Sequence, residues 1–302
     1  MFLQEGQITK ALSGFYYITD STNKEVYQTR GRGVFRLDGV TPLVGDYVGF
    51  KSDNLEEGTL LEIKPRKNEL VRPPIANVDT GVIIASVIDP VFSTQLLDRF
   101  LVMLEYRNIT PIVYISKLDK ADEETTQKIE KYKAIYEEIG YPFITINVDQ
   151  VDDLKAEIVH TFEDYFEDKL VVFIGQSGAG KSTLLNYLNP AFDLKTGETS
   201  KSLGRGRHTT RHVELLPLLG GRFADTPGFS ALKFEDIQVE ELSSCFPEMW
   251  ARKDDCRFRG CLHQNEPNCA IKKAVDEEEI AAFRYKNYLQ ILKELQERKP
   301  KY

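Results

Sequence analysis

The segment Gly175-Gln176-Ser177-Gly178-Ala179-Gly180-Lys181-Ser182 constrains this 302-residue chain more than any other. It fits the pattern G-x-x-x-x-G-K-[ST], follows the apolar run Leu170–Ile174 and opens the helical stretch Lys181–Leu188. A strand before and a helix after separate a phosphate loop from a chance glycine-rich turn. The glycines let backbone N–H groups turn inward around phosphate oxygens, and the helix N-terminus adds the positive end of its dipole. Residues Gly175 through Thr183 are therefore expected to line the phosphates, with Lys181 reaching the β- and γ-phosphates and Ser182 a ligand of Mg²⁺. Asp225-Thr226-Pro227-Gly228 closes a later β-rich run, 221–226. There Asp225 would hold the Mg²⁺ through water, and the N–H of Gly228 would sense the γ-phosphate.

A phosphate loop of this kind belongs in a parallel α/β sheet, and the middle of the chain has that texture. Apolar runs at 81–88, 110–116, 143–147 and 170–175 alternate with amphipathic stretches at 95–107, 121–139 and 152–166. Residues 213–218 and 221–226 add two strands. Ahead of this region, 7–9, 15–18, 26–29, 33–37, 47–51 and 59–63 read as short strands separated by glycine turns. That density suits a small OB-like barrel, with an SH3-like barrel as the alternative. Pro65, Pro73 and Pro74 mark a linker. After residue 230 a Cys/His-rich helical tail replaces the strands. The expected domains are a barrel at 1–70, a nucleotide-binding domain at 71–232 and a metal-binding helical domain at 233–302.

The strand at 110–116 runs into Ser116-Lys117-Leu118-Asp119, which is similar to the guanine-reading motif N-K-x-D. Asp119 would accept hydrogen bonds from the ring N–H and the exocyclic amine of guanine. Adenine has neither donor there, so it would leave the carboxylate unpaired. The stem of Lys117 would lie along the base. The plainer reading is a strand-to-helix turn with a capping aspartate. No strand follows Asp225-Thr226-Pro227-Gly228 to carry a base reader, so the reader must lie upstream. The order is base motif, phosphate loop, D-x-x-G, which is permuted relative to ordinary GTPases.

Cys256, Cys261, His263 and Cys269 place three thiolates and an imidazole within 14 residues. This set suits tetrahedral Zn²⁺, one per chain, and four protein ligands leave no position open for catalysis. Two alternatives stay open: a Cys₄ set using Cys245 in place of His263, and free thiols beside a surface histidine. Asp276 and Glu279 suggest a capping-box start to a last helix. Ala281, Tyr285, Tyr288, Leu292 and Leu295 give that helix an apolar stripe, expected to pack on its own domain.

GQSGAGKSTLLN (175–186), LGRGRHTTRHVEL (203–215), DTPGFS (225–230) and CRFRGCLH (256–263) together resemble the RsgA family of circularly permuted, ribosome small-subunit-dependent GTPases. The resemblance covers essentially the whole chain. It implies an RNA-binding OB barrel, a permuted GTPase domain and a zinc-knuckle domain. It further implies hydrolysis of GTP to GDP and phosphate during late small-subunit maturation, with the small ribosomal subunit and its rRNA as partners. His208 is the residue the resemblance suggests for positioning water, with RNA contact or a place on a mobile loop as the alternatives. Thr210, or failing that Thr209, would complete the Mg²⁺ shell. Two departures stand out. Ser116 replaces the family's Asn or Thr, and Asn147-Val148-Asp149 replaces a serine-rich loop. Phe229 occupies the position after D-x-x-G where Ras-like enzymes carry a water-orienting Gln, which predicts slow turnover without an activator.

Two other function classes remain in play: a P-loop ATPase or kinase of small-molecule metabolism, and a nucleotide-gated RNA-binding module with negligible catalysis. Charge bears on the choice. The net charge of −8 argues against nucleic acid only until it is located. Residues 121–170 carry fourteen Asp and Glu against five Lys. The segment 195–212 carries five Lys/Arg against one Glu, and 251–273 six against three. The acid is thus expected on solvent-facing helices, with basic contacts at 195–212 and the tail. On the barrel, Arg30, Arg32 and Arg36 with Phe35 and Tyr47 could stack on and neutralise RNA, or simply form a solvated face. No run approaches 18 apolar residues, and MFLQEGQITK lacks a signal-peptide layout. A cytoplasmic monomer without a membrane partner is expected.

Overall fold

The computed structural model describes residues 3–298 except 34, 36–38, 72, 147–150, 193, 195–212, 226–233 and 235. These residues form two compact units, 1–82 with 148–229 and 83–147 with 230–302.

The first unit begins with a closed barrel. Its strands are β1 (Gln4–Leu12), β2 (Phe15–Asp20), β3 (Val26–Gly31), β4 (Tyr47–Ser52) and β5 (Gly58–Ile63). β1 pairs with β2, β2 with β3, β4 with β5 and β4 back with β1, all antiparallel, while β3 and β5 are parallel. This mixed, five-stranded closure fits the OB-like expectation and leaves no free edge in the barrel. Ile8, Ile18, Val48, Phe50 and Leu60 fill its interior. Of the strand expected at 33–37 only Gly33 and Phe35 are described, and neither is extended: Gly33 lies in a turn and Phe35 in a helical one, where its N–H bonds the carbonyl of Arg32. The proline-marked linker also carries structure, a small hairpin of β6 (Glu69–Val71) and β7 (Pro74–Ala76). Asp46 is fully buried beneath it and receives the Arg66 guanidinium at 2.7 Å.

Three strands of the α/β region lie in this same unit. β11 (Leu170–Gly175) runs parallel to β13 (Gly221–Asp225), and β13 pairs antiparallel with β12 (Glu214–Leu218). β12 joins the barrel through Lys10 opposite Glu214. Helix α3 (Val151–Phe166) precedes β11 and helix α4 (Lys181–Leu188) follows it.

The second unit holds the order β10-β9-β8, with β9 at Thr110–Ser116, β10 at Phe143–Thr145 and β8 (Thr80–Ser86) from Ile83 onward. Helix α1 (Thr94–Glu105) connects β8 to β9, and α2 (Glu123–Ile139) connects β9 to β10. Val82–Ile84 and Ile112–Ile115 are buried on both faces, as strands of a parallel sheet require. The tail adds α5 (Ala270–Asp276) and α6 (Ala282–Gln296). The capping-box expectation fails here: Asp276 ends α5, and α6 begins after Ala281 with no side-chain cap. The stripe holds better, since Tyr288, Leu292 and Leu295 are buried.

Arg284 and Asn287 are buried on that same helix face. Arg284 donates to Asp98 of α1 at 2.5 Å and to Glu248 at 2.7 Å, while Tyr136 of α2 and Asn287 each donate to Asp98 at 2.6 Å. A charge this deep is tolerable only when each partner is present. Removing one would cost about 3–5 kcal/mol. The acid at 121–170 is exposed as expected on each helix separately, through Glu123, Glu124, Glu137 and Glu138 on α2 and Glu157, Glu163 and Asp164 on α3. Among the described residues no helix is long and apolar enough to cross a membrane.

Candidate nucleotide site and metal centre

The phosphate loop is built almost wholly from backbone. Leu170 to Ile174 are buried, so β11 delivers Gly175 rigidly to the strand's C-terminal end. Gly178 and Gly180 then take left-handed φ values of 82° and 97°, which cost an L-side chain about 1–2 kcal/mol. The N–H of Ala179 turns back to the carbonyl of Gln176 at 3.2 Å, and the N–H of Leu184 bonds Gly180 at 2.9 Å to start the helix. Gly180 supplies no side-chain cap. The amides of Lys181, Ser182 and Thr183 sit in the first turn, ahead of the i−4 ladder, where a helix N-terminus can offer N–H groups to an anion. Leu184, Leu185 and Leu188 anchor the helix from its other face. Gln176, Ser177 and Gly178 are exposed, and Ala179 is buried. The parallel register, Leu170 beside Arg222 and Val171 beside Phe223, carries Asp225 to the same end of the sheet as Gly175.

The base motif lies in the second unit. β9 ends at Ser116, whose side chain is buried and whose carbonyl accepts from the N–H of Val87 at 3.3 Å. Lys117 follows in the left-handed conformation, φ 60°. Its ammonium donates to the carbonyl of Asp89. Leu118 turns into the core, while Asp119 is exposed and has no hydrogen bond or ion pair among the described residues. The cap of α2 is Asp122, which accepts from the N–H of Thr125 at 2.8 Å. The capping role that would have made Asp119 unremarkable belongs to its neighbour. The Asp119 carboxylate is left facing outward, able to accept from a ligand.

The ligand atoms of Cys256, Cys261, His263 and Cys269 lie within 4.8 Å of one another. His263 Nδ1 is 3.3 Å from Cys269 Sγ and 3.6 Å from Cys256 Sγ. Three soft thiols and one imidazole gathered so closely fit a metal ion. Cys245 stands apart: it is buried, directs its thiol at the carbonyl of Glu241, and burial pushes that thiol up to about 12. The Cys245-containing set is thus not assembled, and the free-thiol reading does not explain the convergence. Burial lowers the His263 pKa and so favours the neutral imidazole a metal needs. Glu266, unremarked in sequence, ties the loop together by accepting from the amides of Leu262, Gln264 and Asn265 at 2.8–3.0 Å. These backbone bonds hold its carboxyl below the usual range despite some burial. Tyr285 and Tyr288 of α6 donate to the carbonyls of His263 and Leu262 at 2.6 and 2.8 Å.

Comparison with known families matches residues 63–235 to the RsgA GTPase and residues 5–60 to the RsgA N-terminal domain. The chain belongs to the RsgA GTPase family. It is 52% identical to the small ribosomal subunit biogenesis GTPase RsgA 2 of Oceanobacillus iheyensis, covering 99% of this chain and 100% of that one. It is 53% identical to RsgA of Enterococcus faecalis, covering 100% and 99%. Among solved structures it matches YloQ, a circularly permuted GTPase, at 46% identity and a TM-score of 0.83, covering 100% of this chain and 98% of that one. YjeQ from Thermotoga maritima matches at 31% identity and the same TM-score, covering 99% and 100%. The permuted order read from the sequence agrees with the description of YloQ as a circularly permuted GTPase.

Several residues singled out in the sequence lie outside the described residues: His208, Thr209, Thr210, Gly228, Phe229 and the loop at 147–149. Asp225 is described only in its backbone, as the end of β13. On the barrel, Arg36 is likewise outside the described set, Arg30 stacks over Phe15 at 4.5 Å, and Tyr47 is 52% exposed. Sequence reasoning missed Asp89, Glu266 and the Asp98–Arg284 cluster. Only Glu266 had a local signal, an acid inside the Cys/His spacing.

Proposed function

We propose that this chain is a GTPase of small-ribosomal-subunit biogenesis, which hydrolyses GTP to GDP and phosphate and is slow until it meets the small subunit. The observation that carries the reading is the glycine loop at 175–180, with Gly178 and Gly180 at left-handed φ, joining β11 to the N-terminus of the helix at Lys181. Family membership and the names of the relatives support the ribosomal setting.

In this reading the amides of Gly175–Thr183 and the Lys181 ammonium hold the β- and γ-phosphates and offset the charge that develops as the bond breaks. Ser182, Thr210 and Asp225 are the residues that would hold Mg²⁺. When bound, that ion neutralises oxygens of the β- and γ-phosphates. Asp119 accepts from guanine, Lys117 lies along the base, and Ser116 and Leu118 set the loop behind them. His208 positions the attacking water, a task Phe229 cannot perform. Cys256, Cys261, His263 and Cys269 hold one structural Zn²⁺. The functional domains are 1–70, 71–232 and 233–302, with the barrel's Arg30 and Tyr47 meeting rRNA. The protein acts as a cytoplasmic monomer.

The deciding experiment measures GTP hydrolysis with and without purified small subunits. Strong stimulation is expected, and absence of both stimulation and subunit binding overturns the proposal. Competition of GTP by ATP tests the kinase-like alternative, for which equal binding would speak. His208→Ala should abolish the stimulated single-turnover rate, and an unchanged rate removes His208 from the mechanism.

A further inference from the structure

A chain of contacts runs from the base motif to the tail. Lys117 is fixed by the carbonyl of Asp89, in the segment that links β8 to α1. Phe92 in that segment lies tilted against Tyr132 of α2 with ring centroids 5.4 Å apart, and Tyr132 meets Phe283 of α6 edge-on at 5.3 Å. One residue on, Arg284 is fully buried and donates to Asp98 of α1, which also accepts from Tyr136 of α2. Phe283 of α6 also approaches the Tyr136 ring at 5.9 Å. The first turn of α6 thus touches both helices that bracket the base motif, α1 before β9 and α2 after the motif. Nothing in the hydrolysis chemistry uses these groups. A buried arginine, bonded to an aspartate and a glutamate from two other segments, is a costly device for joining helices that apolar contacts alone could join. Its bonds are directional, so they fix the register of α6 against α1 and α2 more narrowly than apolar packing would.

We infer that Phe283 and Arg284 are positioning residues for guanine recognition: through Phe92, Tyr132 and Asp98 they hold the Asp89–Lys117 contact in place, so the tail sets how well Asp119 meets the base. The inference rests on the reading of residues 116–119 as the base motif. The affinity of the phosphate loop for the nucleotide's phosphates should not depend on them.

The test uses the full-length, metal-loaded chain and fluorescent GDP and ADP. The variants are Phe283→Leu, Arg284→Lys, Tyr136→Phe and Asp119→Ala, each with metal content measured. Phe283→Leu, Tyr136→Phe and Arg284→Lys should each weaken GDP binding roughly three- to ten-fold while leaving ADP binding unchanged. Arg284→Lys can fail to fold, and Phe283→Leu and Tyr136→Phe carry the test alone in that event. Unchanged GDP affinity in both, with full metal content, overturns the inference, as does equal loss of GDP and ADP binding, which would mean a merely structural role. If the wild-type chain does not prefer GDP, or Asp119→Ala leaves the preference intact, the base reading itself is wrong.

Discussion

The phosphate loop and the metal knuckle are both short contiguous stretches, but they are made of different material. The loop is backbone: two glycines at positive φ, a buried strand before it and a helix without a cap. The knuckle is side chain: three thiols, an imidazole, the Glu266 carboxylate and two tyrosine hydroxyls borrowed from α6. A backbone site tolerates change at most of its side chains, because the amides remain. A side-chain site loses its geometry with a single residue, and it would draw its stability from a bound ion and from a distant helix.

The largest test of this contrast is removal of the metal. Structural Zn²⁺ contributes about 10–16 kcal/mol in small zinc-finger peptides. Chelation, or Cys261→Ser, should therefore open residues 256–269 to hydrogen exchange while pyrophosphate binding at the loop survives. Loss of pyrophosphate binding would erase the distinction. Next comes Lys181→Ala, the one loop side chain with a charge to deliver. Single-turnover hydrolysis should fall about 100-fold or more, with little change in melting temperature and no change in metal content.

Gly180→Ala probes the backbone directly. At φ 97° the new methyl should cost about 1–2 kcal/mol and weaken phosphate binding, with the knuckle unaffected. The smallest effect belongs to Glu266→Gln, about 1 kcal/mol from weakened amide bonds. Acid should act in the same direction. The Glu266 pKa is depressed below 4.5, so its contribution is present above that value and is lost as pH falls through the folded value. His263 is pushed below 6.5 by burial, so the unfolded chain takes up that proton first and stability falls as pH drops below about 6.5. Metal release followed by a chromogenic chelator should thus rise on acidification. The part due to Glu266 should be missing in Glu266→Gln.

Much of the fold was legible because its signals are local. Buried parallel strands read as apolar runs, and β9 and β11 match their sequence ranges residue for residue. Boundaries slipped where polar residues cap ends, as at Asp122, and within the strand expected at 33–37 Phe35 sits in a helical turn that β-rich composition cannot exclude. The Cys/His cluster was legible from spacing, and the fold brings Cys256, Cys261, His263 and Cys269 together. The exclusion of Cys245 was not, because its side chain faces the carbonyl of Glu241 rather than the cluster.

By itself the sequence determined the phosphate loop, the permuted order, the barrel and the four Cys/His residues of the knuckle, since each rests on residues close in the chain whose chemistry has few other uses. Tertiary structure alone decided that Asp122 rather than Asp119 caps α2, that the linker folds into a hairpin over Asp46, and that Arg284 reaches Asp98 across 186 residues. No pattern of period or spacing marks a buried ion pair before the fold brings its partners together. A lone arginine on an amphipathic helix reads as solvent-facing until the aspartate that neutralises it is in place.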